Sequence, residues 1–130
     1  DDGQTIGGYG TSDAYRLRGG ANQIYFFDFN QSNVHDKYIA SINAQANYVL
    51  SHKSARILLT GNTDERGSRE YNIALGNRRA VAVKNALQSQ GVSSDKVRVV
   101  SYGSEKPIAQ GHDAKSWALN RNVQLIFEEK

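Results

Sequence analysis

LLTGNTDERGSREYNIALGNRRAVAVKNAL, residues 58–87, changes period in its middle, and the change decides the fold. Its first residues complete a continuous apolar run, Ala55 to Thr60 (ARILLT), which ends at Gly61 and has the composition of a buried strand. From Ser68 to about Gln90 the pattern is helical, with Leu75, Ala82, Val83 and Ala86 on one side at about 100° per residue. Ser68 reads as the N-cap, Glu70 favours the first turn, and Gly91 is the candidate C-cap. Between strand and helix lies the polar loop GNTDERGS, residues 61–68. Open α/β sheets place ligands at such a junction. Gly61 and Gly67 permit the backbone conformations that a tightly folded loop demands.

Outward from this unit the alternation continues. Ile24 to Phe29 (IYFFDF) is a short aromatic run with strand character. Asp36 to Ser51 carries Ile39, Ile42, Ala46, Val49 and Leu50 at helical spacing. Lys96 to Tyr102 (KVRVVSY) reads as a third strand, Ala114 to Leu119 as a short helix, and Val123 to Phe127 (VQLIF) as a closing strand. The order β-α-β-α-β-(α)-β predicts an α/β (α+β) domain in which two main helices pack on one face of a mixed four-stranded sheet.

Composition sets the limits. The 130 residues suffice for one ordinary domain. With no cysteine there is no disulfide, thiolate nucleophile or cysteine-ligated metal, so the fold rests on apolar burial. Glycine is unevenly placed: six of twelve fall in the first twenty residues, including the pairs Gly7-Gly8 and Gly19-Gly20. Residues 1–22 therefore read as a flexible tether and 23–130 as the folded domain, with a reach of roughly 25 Å for a coil of that length. No run approaches the apolar length of a membrane span or a signal peptide. The start on Asp1, without methionine, suggests a processed chain.

Three features break the pattern. Arg79 projects from the middle of the apolar arc of the long helix, where the plain alternative is an arginine that snorkels or pairs structurally. Asn72 lies within about 20° of it on the helical projection. Asp64 sits in the preceding loop, where Thr63 and Asp64 would otherwise make only turn and capping bonds. Together, a carboxylate and a guanidinium converging on one pocket make a receptor for a zwitterion: Asp64 accepts from an ammonium and Arg79 grips a carboxylate with its fork. That is the electrostatic shape of an amino acid's α-centre. In YFFDFNQSN, Asp28 interrupts the aromatic run, so the strand end can offer backbone N–H groups near Asp28 and Phe29 to a second carboxylate oxygen.

These residues carry a resemblance. YFFDFNQSN, LLTGNTDERGSREYNIALGNRRAVAVKNAL, VVSYGSEKPIA and NRNVQL resemble the OmpA-like C-terminal domain family, and within it the peptidoglycan-associated lipoproteins of Gram-negative outer membranes. The resemblance spans about Ile24 to Phe127. It implies non-covalent binding of the peptidoglycan stem at meso-diaminopimelate, with the family's aspartate on Asp64, its arginine on Arg79, and backbone contacts near Phe27, Asp28 and Phe29. Asn72 joins the ligand set, and Asn62, Thr63 and Gly67 support the loop. It also implies an acylated N-terminal anchor in the outer membrane, a place on its periplasmic face, and partners in the Tol system, notably TolB, a partner that no residue here marks. An OmpA-like domain anchoring a different envelope protein, or a secretion or motor complex, is the alternative. The chain departs from the family twice: Asn62 stands where a histidine is usual, and Asn120-Arg121-Asn122 has one basic residue fewer than the usual pattern.

Two other functions compete. A hydrolase would use Asp28, Asp64 or Glu65 as acid and base, but an arginine beside Asp64 holds it ionised, which suits binding over proton transfer. His35, His52 and His112 belong to different elements, and neither HExxH nor GxSxG is present, so no enzyme, cofactor or metal is expected. Nucleic-acid binding would draw on the pI near 9.2 and on Arg66, Arg69, Arg78 and Arg79. Glu65 and Glu70 interleave with them, the net charge is only +3, and no GxxxxGK[ST] loop exists, so no nucleic-acid partner is expected.

Overall fold

The computed structural model describes residues 22–129, and the expected tether, but for Asn22, lies outside them. Asn22 itself is tied to the last strand, donating its N–H to the Leu125 carbonyl and accepting from the Phe127 N–H at 3.0 Å.

The elements follow the expected order: β1 (Gln23–Phe26), α1 (Ile39–Ser51), β2 (Arg56–Asn62), α2 (Arg69–Ser89), β3 (Val97–Gly103), α3 (Ala114–Asn120) and β4 (Asn122–Glu129). The four strands form one mixed sheet in the order β1-β4-β2-β3. β4 is antiparallel to both β1 and β2, whereas β2 and β3 run parallel, joined by α2. A parallel pair needs such a crossover, and the long helix supplies it.

Several boundaries differ from expectation. β1 ends at Phe26, so Phe27, Asp28 and Phe29 leave the strand and turn over the end of the sheet. Asp36–Tyr38 forms a turn of 3-10 helix before α1 begins. At the C-terminus of α2 the cap is Gln90, and Gly91 follows at φ +104, a conformation glycine adopts without strain. Ser68 does cap α2, its hydroxyl accepting from the Tyr71 N–H at 3.1 Å.

The core lies between α1, α2 and one face of the sheet. Tyr38, Ile42, Ala46 and Val49 meet Ala80, Val83 and Leu87 over Tyr25, Ile57, Leu59, Val123 and Leu125. Each buried aliphatic side chain contributes about 1.5–3 kcal/mol by leaving water. Ala82 and Ala86 are only half-buried, while Gly76 and Leu87 complete the inward face of α2. Gly76 lets α2 rest directly on the Gly61 backbone of β2. The short helix α3 instead touches β1.

Candidate functional site

The turn after β1 and the loop after β2 converge beside the first three turns of α2, where a cavity of about 100 Å³ opens. Asp64, Arg79, Asn72, Phe29, Thr63 and Gly67 line it, so the structure brings the candidate side chains to one place. Asp28 and Asn62 take part through their backbone carbonyls, and Phe27 through both its carbonyl and its ring.

Arg79 has no exposed surface. Its guanidinium donates from Nε to the Gln31 carbonyl at 2.7 Å, from Nη1 to the Asn62 carbonyl at 3.0 Å and from Nη2 to the Asp28 carbonyl at 3.0 Å. One cation thus ties the turn after β1 to the end of β2, and its packing against the Phe27 ring adds a cation–π contact at 5.4 Å. A guanidinium has five N–H groups. Three are spent on carbonyls, which leaves one on each terminal nitrogen for a carboxylate. Burial lowers the Arg79 pKa to about 10, assisted by the nearby Arg121 cation, and the group stays charged at neutral pH.

Asp64 is nearly as buried, but its partner is not Arg79. Its Oδ1 accepts from the backbone N–H of Arg66 at 3.0 Å and from Arg66 Nε at 3.2 Å. Its Oδ2 accepts from Arg66 Nη2 at 2.8 Å and from Arg121 Nη1 at 3.3 Å. Burial alone would raise this carboxyl; the hydrogen bonds from Arg66 and Arg121 outweigh it and hold the pKa below the ordinary aspartate value. The expectation that an arginine keeps Asp64 ionised is met by different arginines. Sequence reasoning met Arg66 only in a basic cluster interleaved with Glu65 and Glu70, and read Arg121 only as part of a departure from the family. The Arg66 pairing had a local signal, an aspartate two residues before its partner's N–H in a turn. Arg121 had none until β4 was known to lie between β1 and β2.

Arg66 is itself clamped. Its guanidinium lies 4.0 Å from the Phe29 ring centroid and 4.1 Å from that of Trp117. The Trp117 indole N–H donates to Glu65 Oε2 at 2.8 Å, and His112 Nδ1 meets Glu65 Oε1 at 2.8 Å. These bonds, the one from Trp117 first, hold the Glu65 carboxyl below its usual range.

The remaining residues hold the frame. Asn72 donates to the Arg66 carbonyl at 3.1 Å, and Gly67 turns at φ +107. The Thr63 hydroxyl donates to the Asp64 carbonyl at 3.0 Å, while the Thr63 N–H reaches the Gly103 carbonyl at 2.9 Å. Arg121 fixes the other side, donating from Nε to the Phe27 carbonyl at 2.9 Å while the Phe27 N–H donates to the Arg121 carbonyl. No described group accepts from the backbone N–H of Asp28 or Phe29. Asn62 and Asn122, the two departures from the family pattern, touch: Asn62 Nδ2 donates to Asn122 Oδ1 at 3.0 Å. Tyr71 and Asn30 are hydrogen-bonded to each other, and both line the cavity.

Residues 26–121 match the model of the OmpA family. The chain is 49% identical over 116 residues to a peptidoglycan-associated lipoprotein of Legionella pneumophila, covering 89% of this chain and 66% of that protein, just under two thirds of its length. To the protein of that name from Haemophilus influenzae it is 44% identical over 124 residues, covering 95% and 78%. Its backbone superposes on the crystal structure of the peptidoglycan-associated lipoprotein of Burkholderia pseudomallei with a TM-score of 0.80 at 48% identity, covering 81% of this chain and 89% of that one. The C-terminal domain of Helicobacter pylori MotB has the same fold, with a TM-score of 0.75 at 23% identity over 83% of this chain and 85% of that one.

Proposed function

Because this chain belongs to the OmpA family, we propose that it binds the peptide stem of peptidoglycan non-covalently, taking the zwitterionic α-centre of meso-diaminopimelate into the cavity between Asp64 and Arg79. The observation that carries this reading is the state of Arg79: a fully buried guanidinium, fixed by three carbonyls, with one N–H left on each terminal nitrogen. Such a fork suits a carboxylate and is already ordered before binding, so little entropy is lost on association. The backbone N–H groups of Asp28 and Phe29 then receive the second face of that carboxylate.

The ammonium goes to Asp64 by exchange. Four hydrogen bonds already fill the acceptor positions of that carboxylate. An incoming ammonium therefore replaces the side chain of Arg66, whose stack between Phe29 and Trp117 is disturbed as it leaves. Asp64 carries negative charge throughout and never needs to move a proton, which supports a binding module over a hydrolase.

On this reading the protein links the outer membrane to the wall as a lipoprotein at the membrane's periplasmic face, with TolB and other Tol proteins as partners; the names of its relatives support the first part. Titration of the 130-residue chain with a diaminopimelate-type muropeptide, using a lysine-type muropeptide as control, tests the ligand. Binding of the first with shifts at Asp28, Asp64 and Arg79 is expected. Equal failure of both ends the proposal.

A further inference from the structure

Residues 28–31, which follow β1, close a β-turn in which the Gln31 N–H donates to the Asp28 carbonyl at 3.1 Å. Asn30, its third residue, has φ +62 and is the one non-glycine residue with positive φ among the described residues. Phe29 before it has no such φ, the pattern of a type II turn. Asparagine tolerates this conformation without preferring it as glycine does, so something must hold it there.

Both ends of the turn are pinned. The Asp28 and Gln31 carbonyls accept from the Arg79 guanidinium at 3.0 and 2.7 Å, so Phe29 and Asn30 at the tip keep the freedom to move. Each tip residue is tied across the exposed rim of the cavity that both line. The Phe29 ring stacks on the Arg66 guanidinium, and Asn30 Oδ1 accepts from the Tyr71 hydroxyl in the first turn of α2.

The turn also carries chemistry. The backbone N–H groups of Asp28, Phe29 and Asn30 have no acceptor among the described residues, a run of three donors beside a buried cation. Successive N–H groups in a turn make an anion cradle. Turning over the peptide between Phe29 and Asn30, the change that separates type II from type I, would put a carbonyl in place of an N–H within that run. A carbonyl there repels a carboxylate.

The two ties differ once a ligand enters. Arg66 leaves Asp64 when the ammonium arrives, which disturbs its stack with Phe29. The bond between Tyr71 and Asn30 is then the tie that remains on the tip. Tyr71 is 39% exposed and Asn30 is exposed, so this bond adds little to stability; its effect lies in the order of the turn.

We infer that Tyr71 is a positioning residue for the carboxylate half of the site: its hydroxyl holds Asn30 in the left-handed conformation, which keeps the three N–H groups of the turn aligned for the carboxylate that Arg79 grips. This rests on the reading of the cavity as a receptor for a zwitterionic α-centre.

The test uses glycine, which adopts a positive φ without a tie. In the 130-residue chain titrated with a diaminopimelate-type muropeptide, Tyr71→Phe is expected to bind about tenfold more weakly than the parent. Adding Asn30→Gly to Tyr71→Phe is expected to recover most of that loss, although the hydroxyl is still missing. Without ligand, the amide signals of Phe29 and Asn30 should broaden by exchange in Tyr71→Phe and sharpen again in the double variant. Unchanged affinity in Tyr71→Phe would overturn the assignment. So would a loss that Asn30→Gly leaves in place, since the hydroxyl would then touch the ligand itself, and so would sharp amide signals in Tyr71→Phe. Failure of the parent chain to bind the muropeptide would end the ligand reading, while the ligand-free signals would still decide whether Tyr71 fixes the turn.

Discussion

Gly61 of β2 and Gly76 of α2 touch backbone to backbone, with no side chain between the helix and the sheet. A Cβ on Gly76 would stand 2.8 Å from the Gly61 carbonyl oxygen and would also collide with the Ser101 hydroxyl. This contact sets the depth of α2, and Arg79, one turn further on, takes its height over the end of β2 from it. Gly76→Ala is expected to destabilise the domain by about 3 kcal/mol, since neither backbone can yield without moving the helix. Chemical denaturation measures the loss, and a variant as stable as the parent would show that α2 rides freely on the sheet.

Arg79→Lys separates charge from geometry. Lysine keeps the cation but cannot reach three carbonyls and a ligand together, so the carbonyls of Gln31, Asn62 and Asp28 lose their donors. A stability loss of about 3 kcal/mol and a fall in muropeptide affinity of roughly 100-fold are expected. Retained affinity in a calorimetric titration would mean that Arg79 is a structural residue only.

Much of this site was legible in the sequence because its parts are local to one strand-loop-helix unit. Asp64, Asn72 and Arg79 lie within sixteen residues, and helical periodicity alone makes Arg79 anomalous. What the sequence concealed depends on strand order. Arg121 reaches Asp64 only because β4 inserts between β1 and β2, which no periodicity reports. Phe27 to Phe29 read as strand because aromatic runs do, yet the backbone leaves β1 at Phe26 and turns so that the Asp28 and Gln31 carbonyls meet the Arg79 guanidinium. Trp117 could not be paired with Arg66 from spacing, being 51 residues distant on an element of its own.

The pH dependence of stability follows from Asp64. Its carboxyl titrates below the ordinary value in the folded state, so the stability it contributes is fully present above the unfolded-state pKa of about 4 and is lost as pH falls through the lower, folded value. Between pH 5 and 8 this group contributes no slope. Asp64→Asn is expected to flatten the decline below about pH 4 in denaturation midpoints, and an unchanged acid limb would place that decline on other carboxylates.

Arg66 is expected to compete with the ligand. Removing its side chain in Arg66→Ala leaves Asp64 with acceptor positions open, so affinity for an ammonium-bearing muropeptide rises several-fold instead of falling. Trp117, the chain's single tryptophan, stacks on Arg66 and reports the exchange. Its emission in the parent should shift on ligand addition and stay nearly constant in the variant. Weaker binding by Arg66→Ala would mean that Arg66 contacts the ligand directly and that Asp64 is not exchanged.

Asn62 and Asn122 join the two arms that position the cations. The Asn62 carbonyl holds Arg79, Asn122 follows Arg121 directly, and the hydrogen bond between the two side-chain amides crosses from β2 to β4. The pair is nearly fully buried, and Asn62 Oδ1 has no partner. Substituting either residue with alanine severs the same bond, so the two effects should not add. A double-mutant cycle of Asn62→Ala and Asn122→Ala is expected to give a coupling of about 0.5–3 kcal/mol in stability. Each single variant should also lower muropeptide affinity, with the double variant little worse than the poorer single. Additive losses would show that the two positions act independently, and that their joint departure from the family pattern has no structural link.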